Sequence, residues 1–367
     1  MSGRGRLSGP GIIGGPGSLA GAVTSPPTDE GDGQAASWLP GEPLAELAAR
    51  YGLQPSAARP PIVTYLRQLW QRRHFILGFA TARNVAMYTE ARLGQLWQVL
   101  TPLLNAAVYY LIFGVILDTK RGVPNFIAFL VAGIFVFTFT QRSFIIASRV
   151  INDSLSLIRA LYFPRASLPL GYVVIELQQL LLSYVVLVAI VLATGEPLTW
   201  YWLLALPVIL LQSLFNVGCG LILARVGAGL TDVSQLLPFI VRTWMYASGV
   251  MFSVQTMKTL LHHPTLGLLL QLNPAAVYIT LTRNALLTSQ RLSIPGAAPH
   301  DARLCRLYYS DPSKYTAPVP GAGYYSAHCA PLVSTPELWL AGVGWAVAAL
   351  VVGFVFFWRA EVTYGRG

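Results

Sequence analysis

From residue 99 onward the chain alternates long apolar runs with short polar connections. Six of the runs are long enough to cross a bilayer, at residues 99–117, 126–148, 170–193, 201–224, 236–253 and 338–358. A hydrocarbon core of about 30 Å takes about 20 helical residues at ~1.5 Å rise each. Upstream, residues 60–98 have a different pattern. Apolar positions fall at 62, 66, 69, 70, 76 and 77, with Arg67, Gln68, Gln71, Arg72 and Arg73 between them. That spacing predicts an imperfect amphipathic helix with a cationic side, suited to a membrane surface or to a soluble partner. Its place just before a span points to the membrane. Residues 1–59 predict no packed structure, because seventeen of the first 43 are Gly or Pro and such a stretch buries too little apolar surface to order itself. No continuous apolar core of a secretory signal occurs there.

Composition agrees with an all-α integral membrane protein. Charged residues make up 11% and hydrophobic ones 54% of the 367, where soluble domains carry about 25% charged residues. The net charge of +10 would suggest nucleic acid in a soluble protein, but many of these arginines flank apolar runs, where the positive-inside bias accounts for them. Arg72, Arg73, Arg83 and Arg92 precede the first span, and Arg149, Arg159 and Arg165 lie between spans two and three. The connection at 194–200 carries only Glu196, whereas Lys120 and Arg121 at 118–125 are a mild exception. With six spans, both the tail at 1–59 and the tail at 359–367 are expected in the cytoplasm.

Two connections between spans stand out. The 149–169 loop reads RVINDSLSLIRALYFPRASLP. Asn152, Asp153 and Ser154 are good caps, Leu155, Ile158 and Tyr162 share helical spacing, and Pro164 stops the helix. An amphipathic helix held between two spans either docks a partner or rests on lipid headgroups. The 254–337 loop begins with an apolar stretch broken by Pro264, Gly267 and Asn273-Pro274, too short to cross twice. Irregular backbone at membrane depth must be buried in protein or face water, so two re-entrant half-helices meeting near Pro264 are expected.

The order of these parts resembles the type-2 ABC exporter permeases that move lipid-linked polysaccharides such as O-antigen, teichoic acid and actinobacterial galactan. The residues that carry the resemblance are Leu93-Gly94-Gln95-Leu96-Trp97 followed by Pro102, then Leu157-Ile158, Phe163-Pro164-Arg165 and Leu168-Pro169. It implies an interface helix, a cytoplasmic coupling helix and an outer re-entrant pair around six spans. It further implies a homodimer of the permease, a separate ABC ATPase subunit that uses ATP, and a glycan path along spans one and five in the plasma membrane. ATPase coupling would fall to Leu155, Leu157, Ile158, Tyr162, Phe163 and Arg165. An external gate would involve Pro264, Asn273, Pro274 and Arg283. Tyr109 and Phe113 on span one and Trp244 on span five are either path-lining or packing residues.

No G-x-x-x-x-G-K-[ST], H-E-x-x-H or G-x-S-x-G occurs, so the chain is expected to bind no ATP, metal or cofactor itself. The competing reading is an integral-membrane transferase or ATP-independent flippase for lipid-linked glycans. A transferase needs an outer acid/base pair, and Asp118, Glu196, Asp301, Asp311 and Glu337 are ungrouped in the sequence. Three intramembrane charges, Arg142, Glu176 and Arg242, lie at one depth, roughly 9 Å from the inner ends of their spans at ~1.5 Å per residue. Intramembrane charges are costly and usually paired, so Glu176 is expected to pair with either arginine and close the inner mouth, against separate snorkelling. Cys305 and Cys329 fall on the expected outer side, where disulfides persist. A bridge, two free thiols, or a zinc site with His300 and His328 are the readings open there.

Overall fold

In a computed structural model of the protein, the described residues are 61–88, 92–116, 125–160, 163–252, 264–288, 333 and 335–361. The expected tail at 1–59, Tyr162, Cys305 and Cys329 lie outside them. The described residues fold as helices α1 (Ile62–Gln71), α2 (Arg73–Tyr88), α3 (Trp97–Tyr109, continuing as a π-helix over Tyr110–Ile116), α4 (Phe126–Ala147), α5 (Val150–Asp153), α6 (Leu155–Ala160) and α7 (Ser167–Ala193). There follow α8 (Ala205–Gly229), α9 (Thr231–Ala247), α10 (Pro264–Leu272), α11 (Pro274–Leu286) and α12 (Thr335–Arg359).

Among the described residues, five helices are long and apolar enough to cross a membrane: Trp97–Ile116, Phe126–Ala147, Ser167–Ala193, Trp200–Gly229 and Thr335–Arg359. A sixth apolar unit is the pair α10–α11, bent by 75°. The expected span at 236–253 is displaced and shorter, because α9 has 17 residues and runs from Thr231 to Ala247. Its polar first turn carries Asp232, which suits the positive helix N-terminus. Gly249, at φ 64°, turns the chain just beyond its end. The amphipathic stretch is likewise two helices, broken at Arg72.

α4 is the central span. Phe129, Leu130, Ala132, Phe135, Val136 and Phe137 are each at most 2% exposed, and α3, α7, α8, α9 and α11 all pack against α4. By contrast α3 is peripheral and exposes Leu104, Val108, Leu111, Val115 and Ile116. Its partial solvent or lipid exposure is tolerable only because every backbone group is satisfied within the helix.

Among the described residues the most extensive seam joins α8 and α12. A Cβ on Gly218 would stand 2.3 Å from the Ala349 carbonyl oxygen, and one on Gly353 would stand 2.0 Å from the Gly218 carbonyl oxygen. Only glycine allows backbones this close, as small residues do in membrane helix pairs generally. Gly227 does the same where α8 meets the end of α4, with a would-be Cβ 1.8 Å from the Ser148 carbonyl oxygen.

Candidate functional site

The 149–169 segment folds as α5, α6 and a turn into α7, and it is held on both flanks. At its start, Asn152 Nδ2 donates to the Gly227 carbonyl (3.0 Å) and Ser234 Oγ donates to the Ser148 carbonyl (3.0 Å). Pro238 has no N–H to offer the carbonyl four residues back, which belongs to Ser234. Arg149 Nη2 supplies a donor to that carbonyl at 3.1 Å. At its other end, Arg165 meets Glu361 beyond α12. The Arg165 N–H donates to Glu361 Oε1 (3.0 Å) and its guanidinium to the Glu361 carbonyl. Tyr65 of α1 completes the cluster, donating from its hydroxyl to Glu361 Oε2 (2.8 Å) and accepting from the Ala166 N–H (3.1 Å).

This arrangement redistributes the residues expected to dock a partner. Ile158 and Phe163 are each 8% exposed and pack with Tyr65, Leu69, Val150, Ile151, Leu168 and Phe357. Leu155 and Leu157 are half-buried, and Leu157 packs against the same cluster. The apolar face therefore has a core, contrary to the expectation that it faces a partner. Asp153, Ser156, Arg159 and Ala160 form the exposed side.

A polar cluster lies between α2, α3, α4 and α7. Asn84 Oδ1 accepts from Gln98 Nε2 (3.1 Å), while Asn84 Nδ2 donates to Gln178 Oε1 (3.2 Å). Arg142 Nη1 donates to Gln179 Oε1. Gln98, Pro102, Phe139, Arg142, Glu176 and Ser183 are among the residues lining a cavity of about 20 Å³, room for one water-sized molecule. Glu176 is 3% exposed. Arg142 shares its cavity but gives its hydrogen bond to Gln179. Arg242 takes no part, being exposed on α9 within electrostatic reach of Tyr109. The expected Glu176–Arg242 pair is absent from the described residues, because α9 presents that face away from α7.

The bent pair α10–α11 is locked from two sides. The residue before a proline avoids helical backbone, and Asn273 takes φ −54°, ψ 128° before Pro274. Among the described residues the bend therefore falls at Asn273-Pro274; the stretch at 254–263, expected to form the other arm of a pair meeting near Pro264, lies outside them. Asn273 Oδ1 caps α11 through the Ala275 N–H (3.1 Å) and accepts from Trp244 Nε1 (2.8 Å). Asn273 Nδ2 donates to Ser248 Oγ (3.2 Å) and the Ala247 carbonyl (3.3 Å). The Leu272 carbonyl, left over at the end of α10, accepts from Trp345 Nε1 at 2.8 Å. Arg283 is 5% exposed. It donates to the carbonyls of Phe129 (3.0 Å), Gly249 (2.9 Å) and Val250 (2.7 Å), with its guanidinium carbon 3.3 Å from the Phe129 ring centre.

Trp244 is committed to this lock. Its ring stacks on Phe144 (5.8 Å) and meets Phe137 edge-on (5.7 Å). Tyr109 and Phe113 sit together with ring centres 6.5 Å apart, half-buried against the main core. Glu196 accepts from Asn125 Nδ2 at 3.2 Å, and Glu337 is exposed at the start of α12.

Asn273→Ala is expected to lose the helix cap, about 0.5–2 kcal/mol, and the Trp244 bond, about 1 kcal/mol. Asn273→Asp keeps both acceptors and loses only the amide donors, so its stability should lie between Ala and wild type. Thermal unfolding in nanodiscs checks this order.

The profile of the ABC-2 type transporter family matches residues 77–287, more than half of the 367-residue chain. The chain belongs to the ABC-2 type transporter family. It is thus a multi-pass membrane protein and a transporter component that works with an ABC ATPase. It is 27% identical over 238 residues to an O-antigen export system permease protein of Myxococcus xanthus, covering 65% of this chain and 88% of that protein. A Klebsiella pneumoniae protein of the same description is 25% identical over 167 residues, covering 45% of this chain and 64% of its own length.

The sequence reading missed Tyr65, Asn84, Gln98, Gln179 and Glu361. A tyrosine inside an amphipathic helix and a lone acid just past the last span were the only signals available.

Proposed function

We propose that this chain is the transmembrane permease subunit of an ATP-driven exporter that moves a lipid-linked polysaccharide across the bacterial plasma membrane. The carrying observation is the family match over 77–287 together with similarity to two O-antigen export permeases. The working unit is two copies of this chain with two ATPase subunits, both termini in the cytoplasm, and the glycan passes along α3 and α9. The exposed faces of these two helices support that path: α3 shows Leu104, Val108 and Leu111, and α9 shows Leu236, Phe239 and Ile240. Clamped at both ends, the 149–169 segment suits a coupling element, because a push on it reaches α8, α9 and α12 through hydrogen bonds.

The ATPase then meets the exposed side of α5–α6. The double variant Asp153→Arg, Ser156→Arg should insert normally yet capture its partner ABC ATPase at least tenfold less, about 1.4 kcal/mol. Ile158→Asp should instead lower folded yield, since it puts a charge into the chain's own core. Undiminished ATPase capture by the double variant would remove this docking surface. For the substrate, cells depleted of this protein should accumulate a lipid-linked polymer on the cytoplasmic leaflet. Unchanged levels of every such polymer would count against the reading.

A further inference from the structure

The cluster of Tyr65, Arg165 and Glu361 joins three elements far apart in sequence: the interface helix α1, the last turn of the coupling segment, and the residues just after α12. Tyr65 is 1% exposed, and its hydroxyl bridges Glu361 Oε2 and the Ala166 N–H. Glu361 Oε1 holds the Arg165 N–H, and the Glu361 carbonyl holds the Arg165 guanidinium. Burial pushes the Glu361 carboxyl above the usual carboxylate range, opposed by the Arg165 N–H, the Tyr65 hydroxyl and the Arg165 charge. Around these bonds the contacts are aromatic. Tyr65 lies 5.9 Å from Phe354 of α12, and Phe75 of α2 lies 6.1 Å from Phe163. Glu361 is the hub, since each of the other two partners bonds to it. A hub of directional bonds between three elements passes displacement from any one to the others, where apolar contacts alone allow sliding.

We propose that Glu361 is a positioning residue for energy coupling: through Tyr65 and Arg165 it makes the coupling segment, α1 and the end of α12 move as one body when the ATPase acts on α6. The proposal rests on the permease reading above. It is tested by hydrogen-exchange mass spectrometry on the full chain in nanodiscs with its partner ABC ATPase, with and without ATP and vanadate. In the wild type, nucleotide should change exchange in 62–71 and in 155–160 together. In Glu361→Ala the change should persist in 155–160 and weaken sharply in 62–71, where only the Tyr65–Ala166 bond is left to carry it, with ATP hydrolysis retained. Glu361→Gln, whose side-chain oxygen still accepts the Arg165 N–H, should restore much of the joint response. Should Glu361→Ala fail to insert, Tyr65→Phe deletes one hydroxyl, keeps the ring on Phe354 and should show the same loss.

A nucleotide response in 62–71 that stays undiminished in both Glu361→Ala and Tyr65→Phe overturns the proposal while leaving the permease reading intact. A wild-type chain that binds no ATPase at all sinks the permease reading, and the coupling role falls with it.

Discussion

Gly353→Val is expected to abolish recovery of folded protein, while Gly344→Ala on the same helix leaves recovery unchanged. A Cβ at 353 would stand 2.0 Å from the Gly218 carbonyl oxygen, whereas one at 344 meets nothing within 4 Å. The obstacle at 353 is backbone of a second helix, so no side-chain rotation relieves it. Relief requires α8 and α12 to separate, and these form the most extensive helix pair among the described residues. Overpacking costs about 1–3 kcal/mol where side chains can adjust, and a backbone obstacle should exceed that range. Gly218→Val should behave likewise, from the other side of the same seam. Detergent size-exclusion profiles of the three variants decide the matter, and a monodisperse Gly353→Val peak at wild-type yield would contradict this packing.

Arg283→Ala should destabilise the bent pair more than any other single truncation in it. The guanidinium supplies donors to three carbonyls, those of Phe129, Gly249 and Val250. Leaving a buried acceptor without a partner costs about 1–3 kcal/mol, so the combined loss should be about 3 kcal/mol or more. Arg283→Lys should rescue little, because one ammonium on a flexible stem cannot reproduce a planar fork reaching α4 and the 249–250 turn at once. Gly133→Ala gives an independent check, since its Cβ would come within 2.4 Å of Arg283 Nη2 and displace the same group. Thermal unfolding in nanodiscs should order the variants wild type, then Gly133→Ala, then Arg283→Lys and Arg283→Ala together. A Lys variant as stable as wild type would show that charge alone matters at this position.

Much of the architecture was legible along the chain, because membrane helices announce themselves locally. Apolar length sets the spans at Phe126–Ala147, Ser167–Ala193 and Thr335–Arg359. The apolar stretch was legible as a broken pair, but its bend was expected near Pro264 and falls at Asn273-Pro274, where a proline removes an N–H and constrains the residue before it. Asn152, Asp153 and Ser154 were read as caps of one helix, whereas Asn152 and Asp153 lie within α5 and Ser154 separates it from α6. α9 was misplaced because its first turn is polar: hydropathy sees that turn as loop, while a helix N-terminus accepts Asp232 readily.

By itself, then, the sequence determined the kind of protein, most of the spans up to their ends, and the place of the short helical segment at 149–169. Each of these depends on composition and breakers within a turn or two. Only the tertiary structure decided which side of that segment faces outward. Leu155 and Ile158 looked like part of a docking face because helical spacing says which residues share a side, not what covers it. The partners of intramembrane charges were decided the same way: Arg142 bonds Gln179 within electrostatic reach of Glu176, and Arg242 lies elsewhere. The Tyr65–Glu361 bond joins residues 296 apart in sequence. Such pairings depend on the rotation and register of whole helices, which close packing at Gly218, Gly227 and Gly353 sets and no local periodicity records.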